Sequence, residues 1–270
     1  MLPTIPFGAY AQFARCAFQR RAVYRLANWT GIAVNFFFFL IHAQVFIAFF
    51  ADRVVDGWNA SDAVRYFAVS ESLLMVLGMM STQAGLEFVE RVRSGDVAVD
   101  LTRPLRLWSR FVAEGYGSGA YYALMRTIVI YGAAMLLYEL PLPKTLAVLL
   151  APLSIVLGIA VAALLMYLGS ACAFWTEHAH GPLFAMLMAL FFFGGVLVPL
   201  DFYPSAVRLL ADLLPFRAAV YTPIALASGK LEGAPLAWAF AHQILWLVLL
   251  AAAAERVEQR GVRRLAVQGG

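Results

Sequence analysis

Charge is scarce in this sequence. Only 13% of its 270 residues are Asp, Glu, Lys or Arg, about half the share usual in a soluble domain. Hydrophobic residues make up 63%, and the mean hydropathy is +0.78. A soluble fold of this length has too little interior to bury that much apolar surface, whereas a bilayer removes the limit. Cysteine is nearly absent. Cys16 and Cys172 are far apart and match no metal or redox spacing, so both are expected to be buried structural residues. The net charge is +4 and the basic residues form no single block, which excludes nucleic acid as a partner. No Gly-x-x-x-x-Gly-Lys-Ser/Thr occurs, and Gly229-Lys230 lacks the earlier glycine. ATP is therefore not held here by a P-loop, and any energy must come from a partner or an ion gradient. There is no linker, low-complexity tract or internal repeat, so residues 1–270 read as one membrane domain.

What the chain does have is long apolar runs. A spanning helix needs about 20 mostly apolar residues. Six stretches qualify: 30–51, 63–85, 114–138, 145–175, 181–200 and 234–254. The fourth is long and is expected to tilt or break near Pro152. The runs do not alternate polar and apolar residues, so barrel strands are excluded. The fold class is all-α and polytopic, with six transmembrane helices. The first 29 residues lack the basic-then-apolar order of a cleaved signal peptide. Tyr10, Phe13, Ala17 and Tyr24 share a helical face there, roughly opposite Gln12, Arg15 and Gln19, which suggests a helix in the headgroup layer with Arg21 snorkelling.

Arginine and lysine in the flanks orient the spans. With the amino terminus inside, thirteen basic residues are cytoplasmic: Arg15, Arg20, Arg21, Arg25, Arg91, Arg93, Arg103, Arg106, Arg110, Arg256, Arg260, Arg263 and Arg264. Six are external: Arg53, Arg65, Lys144, Arg208, Arg217 and Lys230. Both termini are thus expected in the cytoplasm.

Two connections are long. The cytoplasmic one, 86–113, carries Arg91 and Arg93 where the second helix ends, which suits the negative end of its dipole. Gly95 is placed to end that helix in a left-handed conformation, and Asp96 to cap a new short one. Pro104 biases Arg103 out of the helix and stops it. The result is either a short surface helix tied to spans two and three, able to transmit a push from a soluble partner, or an ordinary solvated loop. The external connection, 201–233, is too apolar for a free loop and too broken by proline to span. It reads as two short segments dipping into the outer leaflet, as a lid over a path or as an interfacial anchor. Arg208 and Asp212, at i,i+4, are placed to pair there.

Polar groups inside the spans form the third set. Glu71 and Arg126 each cost roughly 2.5–3.5 kcal/mol at a helix centre, so they face protein or water. They either line a path or form a structural ion pair across adjacent helices. His42, Gln44 and Asn35 line a cavity or bond between helices. Gly115 and Gly119 permit close helix packing, within the chain or against a partner. Glu177, His178 and His180 form a turn suited to a minor contact with a partner rather than to a metal, since no further ligand accompanies them.

The order of these motifs resembles the bacterial ABC-2-type permeases. Gly95 followed by Leu101-Thr102-Arg103-Pro104-Leu105 looks like their first cytoplasmic coupling segment. The run Gly194-Gly195, Pro199-Leu200, Phe202-Tyr203-Pro204, Leu214-Pro215-Phe216, Pro223 and Gly229 looks like their external segment, and Phe174-Trp175-Thr176 is similar too. The resemblance covers nearly the whole chain. It implies the transmembrane subunit of an ATP-driven exporter in the bacterial inner membrane, paired with a second permease, identical or related, on two ATP-binding cassette subunits. ATP and Mg²⁺ then sit on the partner ATPase, with no cofactor on this chain. It implies that Arg91, Arg93, Gly95, Asp96, Asp100, Leu101, Arg103 and Pro104 couple to the ATPase. Glu71, Arg126 and His42 would line the path, and Pro199, Phe202, Pro204, Pro215 and Phe216 would form the external gate. A gradient-driven transporter or channel is the main alternative, and a membrane enzyme built on the Glu177-His178-His180 turn the third.

Overall fold

The computed structural model describes residues 7–51, 53–103, 105–140, 143 and 146–268. These residues are helical almost throughout. α1 spans Phe7–Val23 and α2 Arg25–Phe50. Between them Tyr24 leaves helical geometry, with φ −89° and ψ 59°. α2 therefore begins five residues before the apolar run suggests. α3 runs from Ala60 to Ser94, interrupted by a π-turn at Met75–Met79. Asn59 starts it with a reciprocal cap, its side chain accepting from the Asp62 N–H while the Asp62 carboxylate accepts from the Asn59 N–H. The short α4 is Val97–Leu101, and α5 is Leu107–Tyr138 with a π-turn at Ala123–Thr127.

α6, Ala151–Ser170, is the central helix. Residues 158–167 are all buried, and half of them are Ala, Gly or Val. Small side chains let neighbouring backbones approach closely. Pro152 lies in the first turn of α6, where a missing N–H costs nothing, so it starts the helix instead of breaking it. Gly115 and Gly119 of α5 face Ala163 and Ile159 of α6, so that motif packs inside the chain and not against a partner. Gln243 is fully buried. It donates to the carbonyls of Ser154 and Ala218 and accepts from the Ser154 hydroxyl.

α7, His180–Phe193, has only 14 residues. That is about 21 Å of helix, short of the roughly 30 Å hydrocarbon core. The apolar run expected to span over 181–200 includes Gly194-Gly195, where the chain turns with Gly195 at φ +70°. α8, Ser205–Leu213, and α9, Arg217–Ala227, follow as a pair bent by 81°. α10, Pro235–Gln268, closes the chain. Among the described residues, five helices are long and apolar enough to cross a membrane, or six if the bent pair counts as one.

The bundle has two polar ends. At one, α1, the end of α3, α4, the start of α5 and the end of α10 meet around Asp100. At the other, the start of α3, the 201–233 connection and the start of α10 meet around Lys230 and Arg217. α7 leads from the first end, where His180 lies 3.4 Å from Glu90, to the second, where Gly195 accepts from the Tyr66 hydroxyl at 2.8 Å. α1 packs along α5: Tyr10 bonds Ser109 at 2.9 Å, and Phe18 meets Tyr121 edge-on at 5.5 Å. Its apolar side thus faces protein. Arg21 is buried and donates to Gln83 at 3.0 Å instead of snorkelling.

Candidate functional site

α3 carries the chain to Ser94. Gly95, at φ +83°, then reverses it, as only a residue without a side chain does readily. Asp96 does not cap the short helix that follows. It already has helical angles, and its carboxylate accepts from the Ser94 hydroxyl at 2.8 Å. α4 is held instead from within. Asp100 is buried and ion-paired to both Arg91 of α3 and Arg110 of α5. Arg110 also donates to Glu114 at 2.8 Å. Arg20 of α1 lies 3.6 Å from Glu114 and 3.3 Å from Glu87. Six alternating charges therefore run from Glu87 through Arg20, Glu114, Arg110 and Asp100 to Arg91. The series leaves α3 and returns to it one turn later, crossing α1, α5 and α4 on the way.

α10 adds a clasp. The Glu258 carboxylate accepts from the Leu107 and Trp108 N–H groups, at 3.1 and 3.0 Å, and from the Tyr167 hydroxyl at 3.1 Å. It thereby caps α5 from a distant part of the chain, where the helix dipole favours a negative charge. Glu255 accepts from the Trp108 indole at 2.9 Å and pairs with Arg106 at 2.9 Å. Sequence reasoning missed both glutamates. Their signal was a pair of acids at i,i+3 just where the apolar run of α10 ends.

These contacts sort the coupling residues. Arg91, Asp100 and Arg110 are turned inward, Val97 is buried and Leu101 is partly so. Arg93 is exposed and pairs with Glu90 at 3.1 Å. Asp96, Ala98, Val99, Thr102 and Arg103 face outward, with Val99 60% exposed. Arg103 also lies 5.9 Å from the Phe13 ring. Pro104 lies outside the described residues. Val99 and Ala98 are surface groups that the sequence reading did not single out.

At the opposite end, Phe202 packs among Phe46, Phe50 and Trp58, with ring centres 5.4–6.2 Å away. Phe216 is buried against Phe193, Pro199 and Pro215 are buried, and Pro204 is exposed at the start of α8. Lys230 lies over the Trp58 ring and bonds Asp62 at 2.7 Å. Arg208 and Asp212 do not pair. Arg208 reaches back to Asp201 at 3.2 Å, and Asp212 pairs with Arg217 across the bend between α8 and α9.

Glu71 and Arg126 do not pair either. Glu71 is buried with an oxygen 3.3 Å from His42 Nδ1, and the His42 ring stacks on Phe67 at 4.7 Å. Arg126 bonds Asn28 at 3.2 Å and lies 4.9 Å from the Tyr122 ring. Asn35 and Gln44 both bond between helices, to the Glu71 carbonyl and the Tyr138 hydroxyl. Cys16 is exposed and Cys172 half-buried, so neither is the core residue expected.

A family model described as ABC-2 family transporter protein matches residues 31–269. The chain belongs to that family. No curated protein and no solved structure matches it significantly. As an ABC-2 family member it is a multi-pass permease subunit of an ABC transporter, and its membership implies association with ABC ATPase partners. Family membership also sets this reading above a gradient-driven transporter or a membrane enzyme.

Proposed function

We propose that this permease is the transmembrane subunit of an exporter in the bacterial inner membrane, with the Asp100 end and both termini in the cytoplasm. In this reading α4 docks in a groove of an ATPase subunit, and ATP and Mg²⁺ bind there and not on this chain. Two ATPase subunits close on ATP, and the permease rocks against a second permease, identical or related, between inward- and outward-facing states. The 201–233 connection, with Phe202 and Phe216 packed into the bundle, covers the outer mouth. Glu71 and His42 belong to the path.

The observation that carries the reading is the attachment of α4. Asp100 fixes it to α3 and α5, while Asp96, Val99, Thr102 and Arg103 remain free to meet a partner. A push on that surface has a stiff route into two spanning helices. The test is co-purification in mild detergent from native membranes. The wild-type chain should bring down a stoichiometric ATPase subunit, and Val99→Asp should lose it while folding normally. Retention of the ATPase by Val99→Asp and Arg103→Glu alike would show that coupling does not run through α4.

A further inference from the structure

The end of α10 carries four arginines that meet no acid. Arg256, Arg260, Arg263 and Arg264 are all exposed, and no carboxylate oxygen lies within 4.0 Å of any of them among the described residues. Arg93, Arg106 and Arg208, which are also at the surface, each have one. The two acids of the same stretch are turned away. Glu258 is buried in its clasp on α5, and Glu255 is engaged by Trp108 and Arg106. The outer face of the helix is therefore basic here, with nothing to offset it.

That face continues the apolar face of the span. Leu245, Val248 and Leu249 are exposed on α10, in the part long and apolar enough to cross a membrane. Arg256 follows Leu245 by eleven residues and Arg263 follows it by eighteen, about three and five full turns. Arg260 follows Leu249 by eleven in the same way. Three of the arginines thus stand in line with the apolar stripe, and Arg264 is turned about 100° from Arg263. Their depth is suitable too. Pro235 to Ala254 rises about 30 Å, the thickness of a hydrocarbon core. Arg256 emerges at the headgroup boundary. Arg263 is about 10 Å further along, where a long side chain can lean back toward it.

Packing fixes the stripe in this position. Gly261 lies against the Phe174 ring, so closely that a methyl group there would collide with it, and Ala254 and Glu258 are buried on the same side. The arginines therefore face sideways along the membrane surface. The anion at hand there is the phosphate of a lipid headgroup, which a guanidinium grips through paired hydrogen bonds. A cluster of basic residues just outside a spanning helix is a recognised mark of anionic-lipid binding.

We propose that Arg256, Arg260 and Arg263 hold the phosphates of anionic phospholipids, whose acyl chains lie along Leu245, Val248 and Leu249. The lipid supplies the counter-charge that the chain itself withholds. The site rests on α10 crossing the membrane and not on transport direction or ATPase docking, so it stands or falls apart from the exporter reading.

Native mass spectrometry of the full chain in detergent tests this, with phosphatidylglycerol and phosphatidylcholine of the same acyl chains titrated in turn. The wild type should retain phosphatidylglycerol in preference. Replacing Arg256, Arg260 and Arg263 together by Gln should weaken that preference about tenfold or more, since each basic group near an anionic surface contributes to binding. Replacing the same three by Lys should keep most of it. None of the three makes an ion pair, so neither variant should change the thermal midpoint in detergent. Arg15→Gln with Arg53→Gln, which removes exposed charge elsewhere, should leave the preference intact. Equal affinity for the two lipids in the wild type, or an unchanged preference in the triple Gln variant, would overturn the proposal. An equal loss in the Arg15 and Arg53 variant would reduce the effect to net charge and overturn it as well. Displacement by glycerol phosphate at the lipid's own concentration would assign the arginines to a soluble anion, with the same consequence.

Discussion

Asp100 shows how one residue can be legible as a type and not as a role. In the sequence it is an acid in a polar connection, indistinguishable from Asp96 four positions earlier. In the fold the two differ completely: Asp96 is on the surface, and Asp100 is buried between two arginines. Removing one partner of a buried pair leaves the others uncompensated. Asp100→Ala should therefore destabilise the chain by about 2–4 kcal/mol, somewhat less than a fully buried pair because Arg91 keeps some water. A lowered thermal aggregation midpoint in detergent would register this. Glu90→Ala, which breaks an exposed pair with Arg93, should barely move the midpoint. The sequence could not pair these charges because ion-pair partners are chosen by tertiary proximity. Glu71 met His42 and Arg126 met Asn28 for the same reason.

Elements were easier to read than their partners. The apolar runs located four of the spans and α10 closely, and Gly95 marked the end of α3 correctly. α7 was overextended because hydropathy does not see that Gly194-Gly195 turns the chain while remaining apolar. The side of α1 was found, but not that α5 covers it. That docking depends on Gly117, where any side chain would strike the Ala14 carbonyl. Gly117→Leu should lift α1 from α5 and make the bonds after Arg20 and Arg21 more readily cut by trypsin. Unchanged digestion would mean that α1 is held mainly by its other contacts, the Arg20 pairs and the Tyr10–Ser109 bond.

For the whole molecule, the basic residues gather where α4 lies, and the proposed orientation rests on that bias. In a Cys16→Ser, Cys172→Ser background, Val99→Cys and Ser205→Cys should be labelled from opposite faces of sealed inner-membrane vesicles. Labelling of both from one side would undo the two-ended arrangement.

The series of charges from Glu87 to Arg91 contains three acids and three bases and is electrically neutral as a group. Its field cancels within a short distance, and at physiological ionic strength what remains is screened within about 8 Å. Of the outward groups on α4 and its flanks, Asp96 and Arg103 also cancel. The surface of α4 itself therefore adds little long-range pull to that of the surrounding basic residues. If an ATPase docks on α4 as proposed, recognition there rests on close contact, on the shape of a five-residue helix and the bare apolar side chain of Val99 at its surface.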